Sequence, residues 1–223
     1  MHVCVFQELV ESGIDESLVA ILSSNKPRLV DQVLRPITTI LSGDDHIIHL
    51  MVTKNRIVPI LLGLAMYSAE EMTKSCAWQA ISNICASMWL IDVYAVATET
   101  TIEAMCAELQ NHAVDDKFAW KNVLWCVFNL CRRPDLAKLF SANFNVLVDM
   151  ATNSAHKMTQ EGRNSEQNML YSTMTSMLVA SPELEYVSMR SCLHIYGRGT
   201  RACACHRIHV HVRGIHMFLT VCM

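Results

Sequence analysis

LRPITTIL (34–41), WQAISNIC (78–85) and LWCVFNLC (124–131) are three versions of one pattern, recurring at spacings of 44 and 46 residues. When they are laid over one another, the columns Pro36/Ala80/Cys126, Ile37/Ile81/Val127, Ile40/Ile84/Leu130 and Leu41/Cys85/Cys131 are small or apolar in every copy. The i, i+1, i+4, i+5 spacing of these columns marks one face of a helix, and that face is core. Self-similarity at this period belongs to stacked helical repeats, in which each unit buries its apolar face against the next.

Each copy follows a shorter helical pattern and a turn, so a unit comprises a short first helix, a second helix and a long third one. This predicts an all-α, armadillo/HEAT-like right-handed superhelical solenoid of three-helix repeats over residues 1–186, with units at about 3–45, 46–88, 89–133 and 134–186. In the first unit the helices fall at Cys4–Ser12, Ile14–Leu22 and Pro27–Leu41, with Gly13 in a turn that needs a left-handed residue; Asn55 and Asn143 occupy the corresponding later turns. Pro27 suits a first helical position, Ser68 with Glu71 has the spacing of a capping box, Asp115 or Asp116 can cap the next third helix, and Pro134 opens the fourth unit. The polar stretch Thr152–Gln167 reads as a loop inside that unit.

Composition agrees. Of 223 residues, 52% are hydrophobic, with only 7 Gly and 5 Pro, which favours ordered helix over β-rich or disordered architecture. No apolar run approaches the roughly 18 residues that span a bilayer, Ile57 to Tyr67 being the longest, and the expectation is a soluble, intracellular protein. Among its ten cysteines, Cys76, Cys85, Cys126 and Cys131 lie in helical apolar patterns, where a reduced thiol acts as a small hydrophobe, and no CxxC pair occurs. Net charge is −3, but residues 187–223 hold five Arg and no acid, which leaves −8 for residues 1–186. An acidic body prefers basic ligands over nucleic acid.

Stacked units leave their third helices side by side along a concave groove. One column there is not apolar: Arg35, Gln79 and Trp125, followed one turn later by Thr39, Asn83 and Asn129. An asparagine amide both donates and accepts, and so can grip the backbone of an extended peptide, while an indole face can stack the stem of a Lys or Arg. Asp44, Asp45, Glu70, Asp115 and Asp116 are candidate rim carboxylates that also read as solvated helix caps. His46 and His49 read as partly solvated surface residues.

SCAWQAISNIC and KNVLWCVFNLCRRP resemble the third-helix motifs of the importin-α (karyopherin-α) family, and QVLRPITTILSGDDHIIHLMV resembles that family's sixth armadillo repeat. The resemblance implies a C-terminal portion of an adaptor, about repeats six to nine, over residues 3–186. It implies that Trp125 and Asn129 form a Trp/Asn pair of the minor site for nuclear localisation peptides. Asn83 matches the family asparagine, but Gln79 stands four residues before it and Trp78 five, and Thr39 follows Arg35 where an asparagine is expected. Cys76 and Asn122 replace acidic residues, and the peptide-binding candidates are Arg35, Thr39, Trp78, Gln79, Asn83, Asn122, Trp125 and Asn129. The implied partners are basic nuclear-localisation peptides and an export receptor at the C-terminal repeats. No basic importin-β-binding segment is expected in this chain, and neither nucleic acid nor a membrane is expected as a partner. The implied locations are cytoplasm and nucleus. A generic armadillo/HEAT scaffold, or a non-functional fragment of an import adaptor, remains the alternative.

Residues 187–223 break the pattern: they are rich in Cys, His and Arg, contain the alternating stretch RIHVHV, and are expected to be disordered. Cys203, Cys205, His209, His211 and His216 match no common zinc spacing, so no metal is assigned. No phosphate-cradling glycine loop, HExxH or nucleophile elbow occurs; neither an enzyme nor a cofactor is expected.

Overall fold

A computed structural model describes residue 8, residues 12–24, 26–111, 119–150 and 164–181, and the backbone of 205–212 and 215–222. The chain divides into two compact units: residues 1–108 with 116–130, and residues 109–115 with 131–223. Sequence periodicity alone predicts one continuous body and gives no sign of this division.

In the first unit, α1 (Ile14–Leu22) and α2 (Pro27–Ile40) supply the second and third helices of the first repeat. The second repeat is α3 (Asp45–Thr53), α4 (Ile57–Tyr67) and α5 (Glu71–Ala86), and the third is α6 (Leu90–Val96), α7 (Glu99–Asn111) and α8 (Ala119–Cys131). Within this order α1 packs on α2, α4 and α2 pack on α5, and α6 packs on both α3 and α5. The fold is an all-α solenoid of armadillo type.

The repeat columns form its core. Ile37, Ile81 and Val127 are buried, as are Ile40, Ile84 and Leu130, and Leu41, Cys85 and Cys131. Pro36 departs from its column and is exposed on α2. That position suits it, because the proline ring frees a carbonyl one turn back, which solvent can then reach.

The turns obey local chemistry with two corrections. Gly13 adopts φ 76° at the start of α1, as a left-handed position requires. In the next repeat the left-handed residue is Arg56, φ 49°, not Asn55. Asn55 instead donates from Nδ2 to Asp15 Oδ2 at 2.7 Å. Ser68 forms no capping box with Glu71: it ends α4, and its hydroxyl accepts from Glu70 N at 3.2 Å. Asp44 caps α3 by accepting from His46 N at 2.7 Å.

The second unit contains α9 (Pro134–Leu139), a 3-10 turn (Ser141–Asn143), α10 over 144–150 and α11 (Asn164–Ala180). α9 packs on α11, and Leu136, Phe140, Phe144 and Met177 are buried. Asn143 sits inside the 3-10 turn, and α11 begins at Asn164, so the last four residues of the predicted loop, 164–167, are helical. In the tail, β1 (Cys205–Val212) pairs antiparallel with β2 (Ile215–Cys222), Cys205 opposite Cys222 and Val212 opposite Ile215. The disorder expected for the tail therefore does not hold over this ribbon, in which RIHVHV is a strand. Most of the predicted first helix, Cys4–Ser12, together with Asp115, Asp116 and Cys203, lies outside the described residues.

No single helix among the described residues is long and apolar enough to cross a membrane; α3 and α4 reach that length only as a pair bent by 85°. Ile47, Met51, Ile57 and Leu61 of this pair are buried in the unit's own core.

Candidate functional site: a groove along the third helices

The third helices of the first unit carry a groove of about 700 Å³. Arg35, Thr38 and Thr39 line it from α2 and Ser42 from just past its end, a stripe at i, i+3, i+4 and i+7; Met72, Ser75, Cys76, Gln79 and Asn83 line it from α5; and Lys121 and Asn122 line it from α8. Of the residues expected at a peptide site, the structure thus brings together Arg35, Thr39, Gln79, Asn83 and Asn122. Arg35, Thr39 and Gln79 are exposed, and the two asparagines are half-buried.

The remaining candidates separate. Trp125 is 39% exposed but is not among the residues lining the groove, and its ring meets that of Phe128 edge to face at 5.8 Å. Trp78 is 1% exposed, in the core. Its assignment to the peptide site is thereby corrected: one residue of helix rotation, about 100°, carries the indole inward and leaves Gln79 facing the groove.

The asparagines are also engaged differently from expectation. Asn83 Nδ2 donates to the Thr38 carbonyl at 3.2 Å, and Asn129 Nδ2 donates to the Ser82 carbonyl at 3.1 Å. Thr38 and Ser82 are equivalent positions in successive repeats, so these bonds form a repeated rung that ties each third helix to the one before. Asn122 adds a second tie from α8 to α5, donating to the Ser75 carbonyl at 2.9 Å and to its hydroxyl at 3.1 Å. Asn129 is 6% exposed, so its amide holds the stack together and offers little to a ligand.

Among the described residues, Arg35 and Lys121 are the charged side chains lining the groove, and no described carboxylate joins them. Asp45 accepts from Met88 N at 3.0 Å on another surface, Asp44 is a helix cap, and Glu70 sits at the start of α5. Asp31, one turn before Arg35, accepts a hydrogen bond from Thr73 Oγ1 and so joins α2 to α5. The Cys76 thiol in the groove is pushed up by burial, drawn down by Arg35 and raised by Asp31; it remains protonated at neutral pH.

Lys121 and Met72 were missed in the sequence, although helical spacing contains both. Lys121 precedes Trp125 by one turn, and Met72, Cys76, Gln79 and Asn83 are a single stripe at i, i+4, i+7 and i+11. His49 proves more than a solvated surface residue: its Nδ1 meets Asp92 Oδ1 at 2.9 Å, and its ring stacks on Trp89 at 4.8 Å.

No protein-family model and no curated protein matches the sequence. Solved structures do match. A designed armadillo repeat protein in complex with the peptide (KR)4 superposes with a TM-score of 0.66 at 14% identity, covering 88% of this chain and 79% of its own. An engineered protein from a structural genomics consortium gives 0.64 at 18% identity, covering 78% of this chain; the match spans 66% of that protein's length. A computationally designed armadillo repeat protein for modular peptide recognition gives 0.53 at 15% identity, over 77% and 85% of the two chains. At these identities the likeness establishes the armadillo fold.

Proposed function

We propose that the first unit is a protein-binding scaffold that holds an extended segment of another polypeptide along the groove of α2, α5 and α8. The observation that supports this reading most directly is the lining itself. The third helices bury their repeat columns and turn polar side chains at helical spacing toward a groove of about 700 Å³. Solved armadillo relatives by fold are described as binding or recognising peptides, and stacked repeats use such grooves for extended partners.

The finer reading is an import adaptor of the importin-α kind, working between cytoplasm and nucleus on Lys-rich localisation peptides, with an export receptor as a further partner. Two observations favour it: the exposed Trp125 indole, which is free to stack a cationic stem, and the basic (KR)4 peptide bound by a structural neighbour. Arg35 and Lys121 in the groove, the engaged amides of Asn83 and Asn129, and the buried Trp78 count against it.

Fluorescence anisotropy of three labelled peptides, one Lys-rich, one Glu-rich and one neutral, titrated with the full chain separates the readings. The adaptor reading expects the Lys-rich peptide alone to bind, with affinity falling as salt rises and at least tenfold weaker in Trp125→Ala. A scaffold of other specificity expects one of the other peptides to bind and Thr39→Trp, which puts a bulky indole into the groove lining, to weaken it. Absence of binding by all three to the folded chain would overturn the peptide groove itself.

A further inference from the structure

A run of exposed apolar side chains lies at the junction of α5 and α6, among residues that do not line the groove. Met88 is 72% exposed, Trp89 44%, Leu90 54%, Ile91 60% and Tyr94 47%. Scattered exposed apolar side chains are ordinary, whereas five large ones within seven residues make a contiguous patch of the kind that marks an interaction surface.

This patch is held rigidly. Asp92 is fully buried; its Oδ1 takes His49 Nδ1 at 2.9 Å and its Oδ2 accepts from Ser87 Oγ at 3.1 Å. Ser87 Oγ in turn accepts from Trp89 N at 3.1 Å, and Met88 N donates to Asp45 Oδ1 at 3.0 Å. The His49 ring backs the indole of Trp89, 4.8 Å between centroids and 21° between planes. A buried carboxylate is costly unless its lone pairs are satisfied, and here that network fixes the backbone that presents the apolar residues. A surface set in advance loses little entropy on binding.

The charged side chain in direct contact with the patch backbone is acidic, Asp45 meeting Met88 N. No Lys or Arg occurs between Lys74 and Lys117, and within that stretch Glu99 and Glu103 are exposed on α7, directly after α6. Asp44 is exposed and Asp45 half-buried at the Met88 edge. An anionic bilayer is repelled by such a surface, and a second copy would bring the same carboxylates into opposition. An apolar centre with an acidic surround instead complements a helix with a Leu-type face and flanking Lys or Arg.

We infer that Met88, Trp89, Leu90, Ile91 and Tyr94 form a docking surface for a cationic amphipathic helix of a partner protein, independent of the groove. The test titrates the full chain into two labelled 18-residue peptides: one with Leu at i, i+3, i+4 and i+7 and Lys elsewhere, the other with Glu in place of Lys. The Leu/Lys peptide binds saturably at one per chain, the Leu/Glu peptide does not, and Leu90→Ser/Ile91→Ser weakens binding at least tenfold with an unchanged circular dichroism spectrum. Glu99→Gln/Glu103→Gln, which leaves the apolar residues in place, weakens binding severalfold at low salt and serves if the serine variant fails to fold. Equal binding of the Leu/Lys peptide by these variants, or of the two peptides by the wild type, overturns the proposal. So does a wild-type dimer in sedimentation, or flotation on anionic vesicles, that Leu90→Ser/Ile91→Ser abolishes.

Discussion

Asp15 has no exposed surface, yet it carries a carboxylate on the first turn of α1. Its Oδ2 is held by Asn55 Nδ2 at 2.7 Å, and the Lys54 ammonium stands 3.9 Å away while pairing chiefly with Glu16 at 2.8 Å. Truncating Asn55 leaves a buried acceptor without its donor, so Asn55→Ala is expected to cost about 1–3 kcal/mol in urea unfolding, more than removal of an exposed charge nearby. Buried thiols set a second residue-scale behaviour. Burial pushes the Cys106 thiol up from 9.0 to about 11. Its folded value is raised, so its contribution to stability is fully present below pH 9 and lost as pH rises towards 11. Urea midpoints measured from pH 8 to 11 should fall across that window, and Cys106→Ala should flatten the fall. The same burial, with the hydrogen bond to Cys85, raises Cys126 well above 9.0, and both thiols should resist alkylation until the chain unfolds.

Between elements, the rungs made by Asn83 and Asn129 decide how third helices stack. Each amide reaches a carbonyl in the last two turns of the preceding third helix, and Thr38 lies among the final four carbonyls of α2, which run out of helical partners. Asn129→Ala removes one such bond and Asn122→Ala the pair that α8 makes to Ser75. Each is expected to cost about 1 kcal/mol in thermal or urea unfolding, and neither should alter the affinity of a groove peptide by more than about twofold if their role is stacking. The third helices themselves were legible from sequence because a buried face recurs every unit, and Ile37, Ile81 and Val127 announce it. What faces the groove was less legible, since a helix turns about 100° per residue. At Trp78 and Gln79 that single step separates core from ligand surface. The rung was hidden for a different reason: an asparagine's pattern is the same whether it grips a peptide or a neighbouring helix.

At the scale of the molecule, the repeat period revealed the armadillo plan but not its division into units of residues 1–108 with 116–130 and 109–115 with 131–223. A boundary of that kind depends on contact density, which no column of apolar residues records. The division has an optical consequence. Trp78, Trp89, Trp120 and Trp125 are the chain's four tryptophans, and all fall in the first unit. Tryptophan fluorescence therefore follows that unit alone, while far-ultraviolet circular dichroism follows helices in both. Urea unfolding recorded by the two signals is expected to give non-coincident midpoints; superimposable curves would mean that the units unfold as one. The rungs have a consequence for descent as well. The acceptor in each is a main-chain carbonyl, so the residue that supplies it can change freely, as Thr38 and Ser82 already differ. Mutation can then accumulate on the receiving helix while the joint persists, and duplicated repeats can diverge in what they recognise without coming apart.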